Sequence, residues 1–322
     1  MRCQSLKIRR TTNWDTKVEV TQLNNKFAID DVLLFKQLSS GTTLIEIDSV
    51  HAVATISLDG GQVVSWHPKH QAEPVLWVSK RAQYVPGKAI RGGVPVCWPW
   101  FGAHPTNAKL PGHGYARITQ WSVERTEICD GGSVRVCLSL GESELSKLHW
   151  HHKVELKLEI VVGDELAVTL TSTNHSTEEV QLTEGLHTYF NVSDVRGIEV
   201  QGLDGTEFVD LTRNNERSVQ EGSVTFADEL GRIYLNTDKA CVIEDLTFKR
   251  RIHIEKRSSL STAVWNPWAK TAATMSDLGV DGWQNMLCVE SANALENAVK
   301  IPAGASHIHF ARYFAEALTS GS

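Results

Sequence analysis

Residues 154–160, Val-Glu-Leu-Lys-Leu-Glu-Ile, alternate apolar and charged side chains with a period of two. An extended chain with one dry and one wet face satisfies that pattern, because successive strand side chains point to opposite sides. Gly163-Asp164 then offers a turn, and Leu166, Val168 and Leu170 resume the alternation, so the pair predicts an antiparallel hairpin. Residues 134–140 read the same way, entered through Asp130-Gly131-Gly132, with residues 121–124 as the expected partner. Further strands are expected over 52–58, 207–211, 232–236, 240–243, 251–255, 262–265 and 308–314. Helical periodicity is scarce, with one short turn expected at 143–147. Short strands at near-regular spacing point to an all-β sandwich or barrel.

No Pro/Gly/Ser linker, repeat or charge run divides the 322 residues. The expected organisation is a loose N-terminal extension over 1–34, a single domain over 35–317 and a short tail over 318–322. The balance of 32 Lys+Arg against 38 Asp+Glu, net -6, speaks against a general nucleic-acid binder. No apolar run reaches the length of a membrane helix. Residues 1–10 are basic but lack the apolar stretch of a secretory signal, and read as a frayed tail rather than a targeting segment. Six scattered cysteines without a C-x-x-C suggest reduced, mostly buried thiols and a cytoplasmic setting. Without a secretion signal, the sequons at Asn174 and Asn191 carry little weight.

Standard nucleotide, metalloprotease and serine-hydrolase motifs are absent. The run His149-Trp150-His151-His152 lacks the converging ligands a metal needs and reads as an exposed strand start. Four stretches break the strand-and-turn pattern. Arg91-Gly92-Gly93-Val94-Pro95, running on to Trp98-Pro99-Trp100-Phe101, sets a planar cation against two glycines and an aromatic wall. There a backbone can approach a ligand closely. Pro111-Gly112-His113-Gly114-Tyr115-Ala116-Arg117 places a His and an Arg four apart in a glycine-rich loop. In Leu186-His187-Thr188-Tyr189-Phe190 a histidine lies among apolar and aromatic residues. Finally, Trp265-Asn266-Pro267 leads to Cys288-Val289-Glu290, where a carboxylate ends an apolar run and needs partners or a task. Taken singly, each also reads as ordinary structure: a glycine bulge, a solvated loop, a core histidine and a strand-end glutamate.

Together, and in this order, the four motifs resemble the hexose-6-phosphate mutarotases, or glucose-6-phosphate 1-epimerases, of the galactose mutarotase-like superfamily. The resemblance runs from about residue 52 to 314. It implies a large antiparallel β-supersandwich with few short helices, in agreement with the strand pattern. It also implies a general acid at His187 and a general base at Glu290. Arg91 and Arg117 would line the sugar-phosphate site, and His113 would be a pocket histidine serving a sugar hydroxyl. No metal and no cofactor are implied.

One departure stands out. The family usually carries Asp in an Asp-Arg-hydrophobic-Tyr segment, where this chain has Gly231-Arg232-Ile233-Tyr234. Asp228 or Glu229 are the nearby candidates to substitute.

The chemistry fits these residue types. Anomer exchange needs a base for the C1 hydroxyl proton and an acid for the ring oxygen. Glu and His both tune toward neutral pH. Arginines grip a phosphate by charge-assisted, forked hydrogen bonds. Trp98, Trp100 and Trp283 are candidates to stack on the apolar face of the sugar.

The expectation is an isomerase acting on hexose 6-phosphates, chiefly glucose 6-phosphate. It would be a cytoplasmic monomer whose partner is a small sugar phosphate, not a nucleic acid or a membrane. The alternatives are a mutarotase for unphosphorylated aldoses, a non-catalytic sugar-phosphate binder or sensor, and a structural β-sandwich module.

Overall fold

The computed structural model describes residues 13–141, 146, 147 and 150–318. The hairpin forms as the alternation predicts: Val154–Val162 pairs antiparallel with Glu165–Asn174. Val134–Leu140 joins its edge and Ser122–Ile128 follows. Across the other edge, Ser306–Ala317 pairs with Glu165–Asn174. Arg250–Arg257, Cys241–Asp245 and Glu199–Gln201 complete an eight-stranded antiparallel sheet.

A second eight-stranded sheet runs in the order Glu216–Val219, Glu207–Asp210, Leu230–Tyr234, Ser261–Asn266, Met286–Asn293, Glu184–Leu186, Val96–Cys97. Tyr189–Asn191 also pairs with Met286–Asn293. One apolar core joins the two sheets. Leu158, Leu170, Ile254 and Tyr313 come from the first, and Leu186, Phe190, Val264 and Leu287 from the second. This is the antiparallel β-sandwich the sequence pattern called for.

A four-stranded sheet, Leu33–Gln37, Thr43–Asp48, Ala52–Ser57 and Gln62–Pro68, packs its buried face into the same core. The looseness expected over residues 1–34 therefore does not extend to the whole segment. Asn13–Phe27 is helical. Asn24 donates from Nδ2 to the Phe35 carbonyl at 2.9 Å and accepts from the Phe35 amide at 2.8 Å. Val20, Leu23 and Phe27 lie against the core. Polar positions had hidden the helix, because its apolar anchors are few among the described side chains.

Two further expectations differ in detail. The strand after the histidine run starts at Val154, so His151 and His152 precede it as exposed residues, and His149 lies outside the described residues. The turn expected at 143–147 also falls mostly outside them.

Candidate active site

Met286–Asn293 is buried at every position and lies at the centre of the second sheet. Glu290 is therefore the fifth of its eight residues, not a strand end. On one side it pairs with Ala263. On the other side the register places Leu186 opposite Ser291 and Tyr189 opposite Cys288. Continuity of that register sets His187 across from Glu290. The ladder opens at this point, because the His187 amide turns away to the Pro95 carbonyl at 3.0 Å. A histidine and a glutamate thus face each other as a cross-strand pair within a sheet.

His187 Nδ1 lies 3.4 Å from Glu290 Oε1, with the side chains 9% and 3% exposed. The approach is not aligned as a hydrogen bond. His187 Nδ1 and Glu290 Oε2 are both buried without a hydrogen-bond partner. Unpartnered buried polar atoms are costly, so a pair left in this state is suited to receiving a ligand's polar groups. Tyr189 stacks on the His187 ring at 4.9 Å, and Trp265 meets it edge-on at 6.0 Å. His113 closes a further side at 5.2 Å.

Two glycines set the loop that carries Arg91. A Cβ on Gly93 would fall 2.1 Å from the Val63 carbonyl, and one on Gly92 would fall 2.4 Å from the Val78 Cα. Both glycines have positive φ. Their service is thus close packing of backbone against backbone within the protein, rather than approach to a ligand. Anchored in this way, Arg91 donates through Nη1 to the Tyr189 hydroxyl at 2.9 Å and through Nε to Asp277 Oδ2 at 3.1 Å. Arg91 and Asp277 line a cavity of about 510 Å³ with Lys88, Pro111 and Ile118. Arg117 donates to the Gly112 carbonyl at 2.7 Å, while its Nε is buried without a partner. His113 adopts φ 62° and accepts the Gly102 amide on Nδ1 at 3.3 Å, which leaves the proton on Nε2.

The electrostatics follow from burial beside cations. Burial pushes the Glu290 carboxyl well above the usual range, and the charge of Arg117 only partly opposes this. Burial, then His113, Arg117 and Arg91, hold His187 well below the ordinary histidine value. The two shifts favour the proton on Glu290 and a neutral imidazole at His187. Burial and the same two arginines bring His113 down to about 3, so it is a neutral donor across the physiological range.

His187, Glu290, Arg91, Arg117 and His113 are thus brought to one region. The tryptophans are not. Trp98 is buried and donates to Ser172 Oγ at 3.1 Å. Trp100 donates to the Pro111 carbonyl at 2.9 Å. Trp283 packs on Trp268 at 4.5 Å. Each spends its apolar surface on the protein. Of the expected aromatic wall, Phe101 alone reaches the site, at 5.0 Å from the His113 ring.

Sequence reasoning gave no role to Tyr189, Trp265 or Cys288, which surround the pair, or to Asp277, which holds Arg91. All but Asp277 stood in the four motifs; for Tyr189 and Cys288 the two-residue offsets from His187 and Glu290 were the available signal, whereas Trp265 reaches the site only through strand pairing. Gly231 faces Trp265 across the sheet, and a Cβ there would meet Trp265 Cδ1 at 3.6 Å. Of the nearby acids, Glu229 accepts from Thr271 Oγ1 at 2.5 Å, and Asp228 accepts the Glu229 amide.

A two-sheet antiparallel sandwich holding a buried, unpartnered His–Glu pair narrows the class, and a family comparison specifies it. A model of the aldose 1-epimerase family matches residues 43–313, and the chain belongs to that family of isomerases. The Escherichia coli (strain K12) protein named "Putative glucose-6-phosphate 1-epimerase" is 37% identical over 254 residues, 79% of this chain and 84% of its own length. A protein of the same name from Cenchrus ciliaris is 35% identical over 260 residues, 78% of each chain. The crystal structure titled "a putative mutarotase (YeaD) from Salmonella typhimurium" superposes with TM-score 0.83 at 30% identity, covering 93% of this chain and 99% of that one.

Proposed function

We propose that this protein interconverts the α and β anomers of hexose 6-phosphates, glucose 6-phosphate above all. The observation that carries this reading is the buried His187–Glu290 pair, 3.4 Å apart, with an unpartnered polar atom on each residue. Two arginines within electrostatic reach of His187 supply the anion site. The names of the relatives agree.

Glu290 takes the proton of the C1 hydroxyl and His187 gives a proton to the ring oxygen. The C1–O5 bond breaks and the free aldehyde forms. Rotation about C1–C2 presents the other carbonyl face. Reclosure returns both protons, so enzyme and sugar end with the protons they began with. Two such positioned groups are each worth ~10²–10⁴-fold.

This division of labour needs carboxylate and imidazolium, the reverse of the state that burial favours. The substrate supplies the change. Sugar hydroxyls that donate to Glu290 favour its ionised form. A phosphate dianion beside Arg91 and Arg117 offsets the positive charge that depresses His187. The phosphate is on this view both a handle and the switch that moves one proton across the pair.

The experiment is two-dimensional NMR exchange between the anomers of glucose 6-phosphate, with free glucose beside it. Acceleration confined to the phosphate ester is the expected result; exchange at the buffer rate for both sugars would reject the enzyme reading. One observation favours a second reading, an epimerase of unphosphorylated aldoses. Arg91 is already engaged by Asp277 and Tyr189. Equal acceleration of both sugars would select it.

A further inference from the structure

Cys288 shares a strand face with Glu290, two residues away, and lies opposite Tyr189 in the register. One donor atom each from His187, Cys288 and Glu290 lie within 4.8 Å of one another, and all three residues are buried. Two of these side chains bring atoms without a hydrogen-bond partner, Nδ1 of His187 and Oε2 of Glu290. The three groups offer nitrogen, sulfur and oxygen, the donors a zinc ion takes, with metal distances of about 2.0–2.3 Å. Tetrahedral angles at such distances set neighbouring N and O donors roughly 3.3 Å apart. His187 Nδ1 and Glu290 Oε1 already stand at 3.4 Å. Only the thiol must draw in, and a rotation about its side-chain bond moves it. Three protein donors leave a fourth position for water, the open arrangement of zinc sites that are not structural.

We propose that His187, Cys288 and Glu290 bind a thiophilic divalent cation of the Zn²⁺ type, and that the bound ion shuts out the sugar. Binding follows from the donor set alone, while exclusion of the sugar rests on the catalytic reading given above. The ion occupies the lone pairs that acid–base chemistry requires, so the cation inhibits, and the same three side chains cannot serve both. Cys288 makes no contact the proposed reaction needs, and its place beside the pair is what admits a soft metal to an otherwise hard site.

The test uses the full chain freed of metal by a chelator. Co²⁺, a spectroscopic substitute for Zn²⁺, should give visible bands and a near-ultraviolet sulfur-to-metal charge-transfer band at one equivalent. Zn²⁺ should then displace it. Cys288→Ser should remove the charge-transfer band and weaken Zn²⁺ binding by more than about tenfold, since even groups behind the ligands are worth that much. Anomer exchange of Cys288→Ser should persist, with its Zn²⁺ inhibition shifted by the same factor.

Unchanged binding in Cys288→Ser, or a wild-type Co²⁺ spectrum without the sulfur band, overturns the site. Inhibition that extra glucose 6-phosphate does not relieve overturns the competition. If Cys288→Ser does not fold, Cys288→Ala and Glu290→Gln carry the same binding test. A protein that binds Co²⁺ in this way yet exchanges no anomers keeps the metal site and loses the catalytic reading.

Discussion

The second sheet holds two buried glutamates with histidines beside them, and they differ in what those histidines do. Glu290 and His187 approach to 3.4 Å without a hydrogen bond. Glu184 is engaged on one oxygen, while its Oε2, like that of Glu290, is buried without a hydrogen-bond partner. Its Oε1 accepts from His307 Nε2 at 2.8 Å, His309 Nδ1 at 3.1 Å and Asn293 Nδ2 at 3.1 Å. His309 Nε2 lies in turn 2.7 Å from Ser291 Oγ. Burial raises the Glu184 carboxyl, but the histidine hydrogen bonds and their electrostatics outweigh it and bring the group down to about 2. At Glu290 burial meets only the charge of Arg117, and the carboxyl stays high.

Residue type and burial are therefore the same in the two pairs, and partnership decides the charge. The Ser291–His309–Glu184 chain has the order of a catalytic triad, yet all three residues are buried between the sheets. It ties Ser306–Ala317 to Met286–Asn293 and Glu184–Leu186, which makes it a brace between the two layers.

The comparison can be broken most directly at Glu290. Glu290→Gln should lower anomer exchange by ~10²–10⁴-fold. Its melting temperature should hold or rise, because an unpartnered buried acid is removed. Retention of most of the rate would end the division between the two pairs. Glu184→Ala should do the reverse. It should cost about 3–5 kcal/mol in denaturant unfolding, as breaking a buried charged cluster does. Exchange per folded molecule should survive; a large rate loss without loss of stability would make Glu184 part of the site.

The pH dependence sharpens the same point. Glu184 has a folded value below its unfolded one, so its stabilisation is complete above the unfolded range of about 4.3. It is lost as pH falls from there through about 2. Acid unfolding of Glu184→Gln should lack that dependence, and an unchanged acid transition would count against the brace. Next in size, Arg91→Ala should raise KM for glucose 6-phosphate by roughly tenfold, the loss of one charge-assisted contact, and leave free glucose nearly unchanged. Equal effects on both sugars would reject the phosphate role. The smallest effect is expected from Gly231→Asp, where a Cβ meets only ordinary contacts. It should fold normally and change the rate within a few-fold; a large gain would mean that the missing acid still limits catalysis.

How much of this the sequence disclosed depends on the face each residue shows. Strands with one wet face, such as Val154–Val162, announce themselves by alternation. Met286–Asn293 does not, because both its faces are buried, and Glu290 looked like a strand end. His187, Glu290, Arg91, Arg117 and His113 were legible through motifs that keep their order along the chain. Asp277 and the brace were not, since residues 184, 291 and 309 meet only through folding. His309 did leave a trace, sitting in phase with Ala311, Tyr313 and Ala315 on the buried side of its strand. The tryptophans misled because composition shows aromatic surface but not what covers it.

Glu290 and Ser291 are neighbours in the chain but belong to opposite sides of the sheet, one facing His187 and one in the brace. Strand geometry makes that assignment a matter of parity. Deleting one residue between 286 and 290 would turn the carboxylate to the brace side of the sheet and offer His187 the Ser291 hydroxyl. Chemistry and cohesion would fail in a single step. Over evolutionary time this strand can change length at its ends or by even numbers, while the loops around it, free of any such rule, are where the family can vary what it recognises.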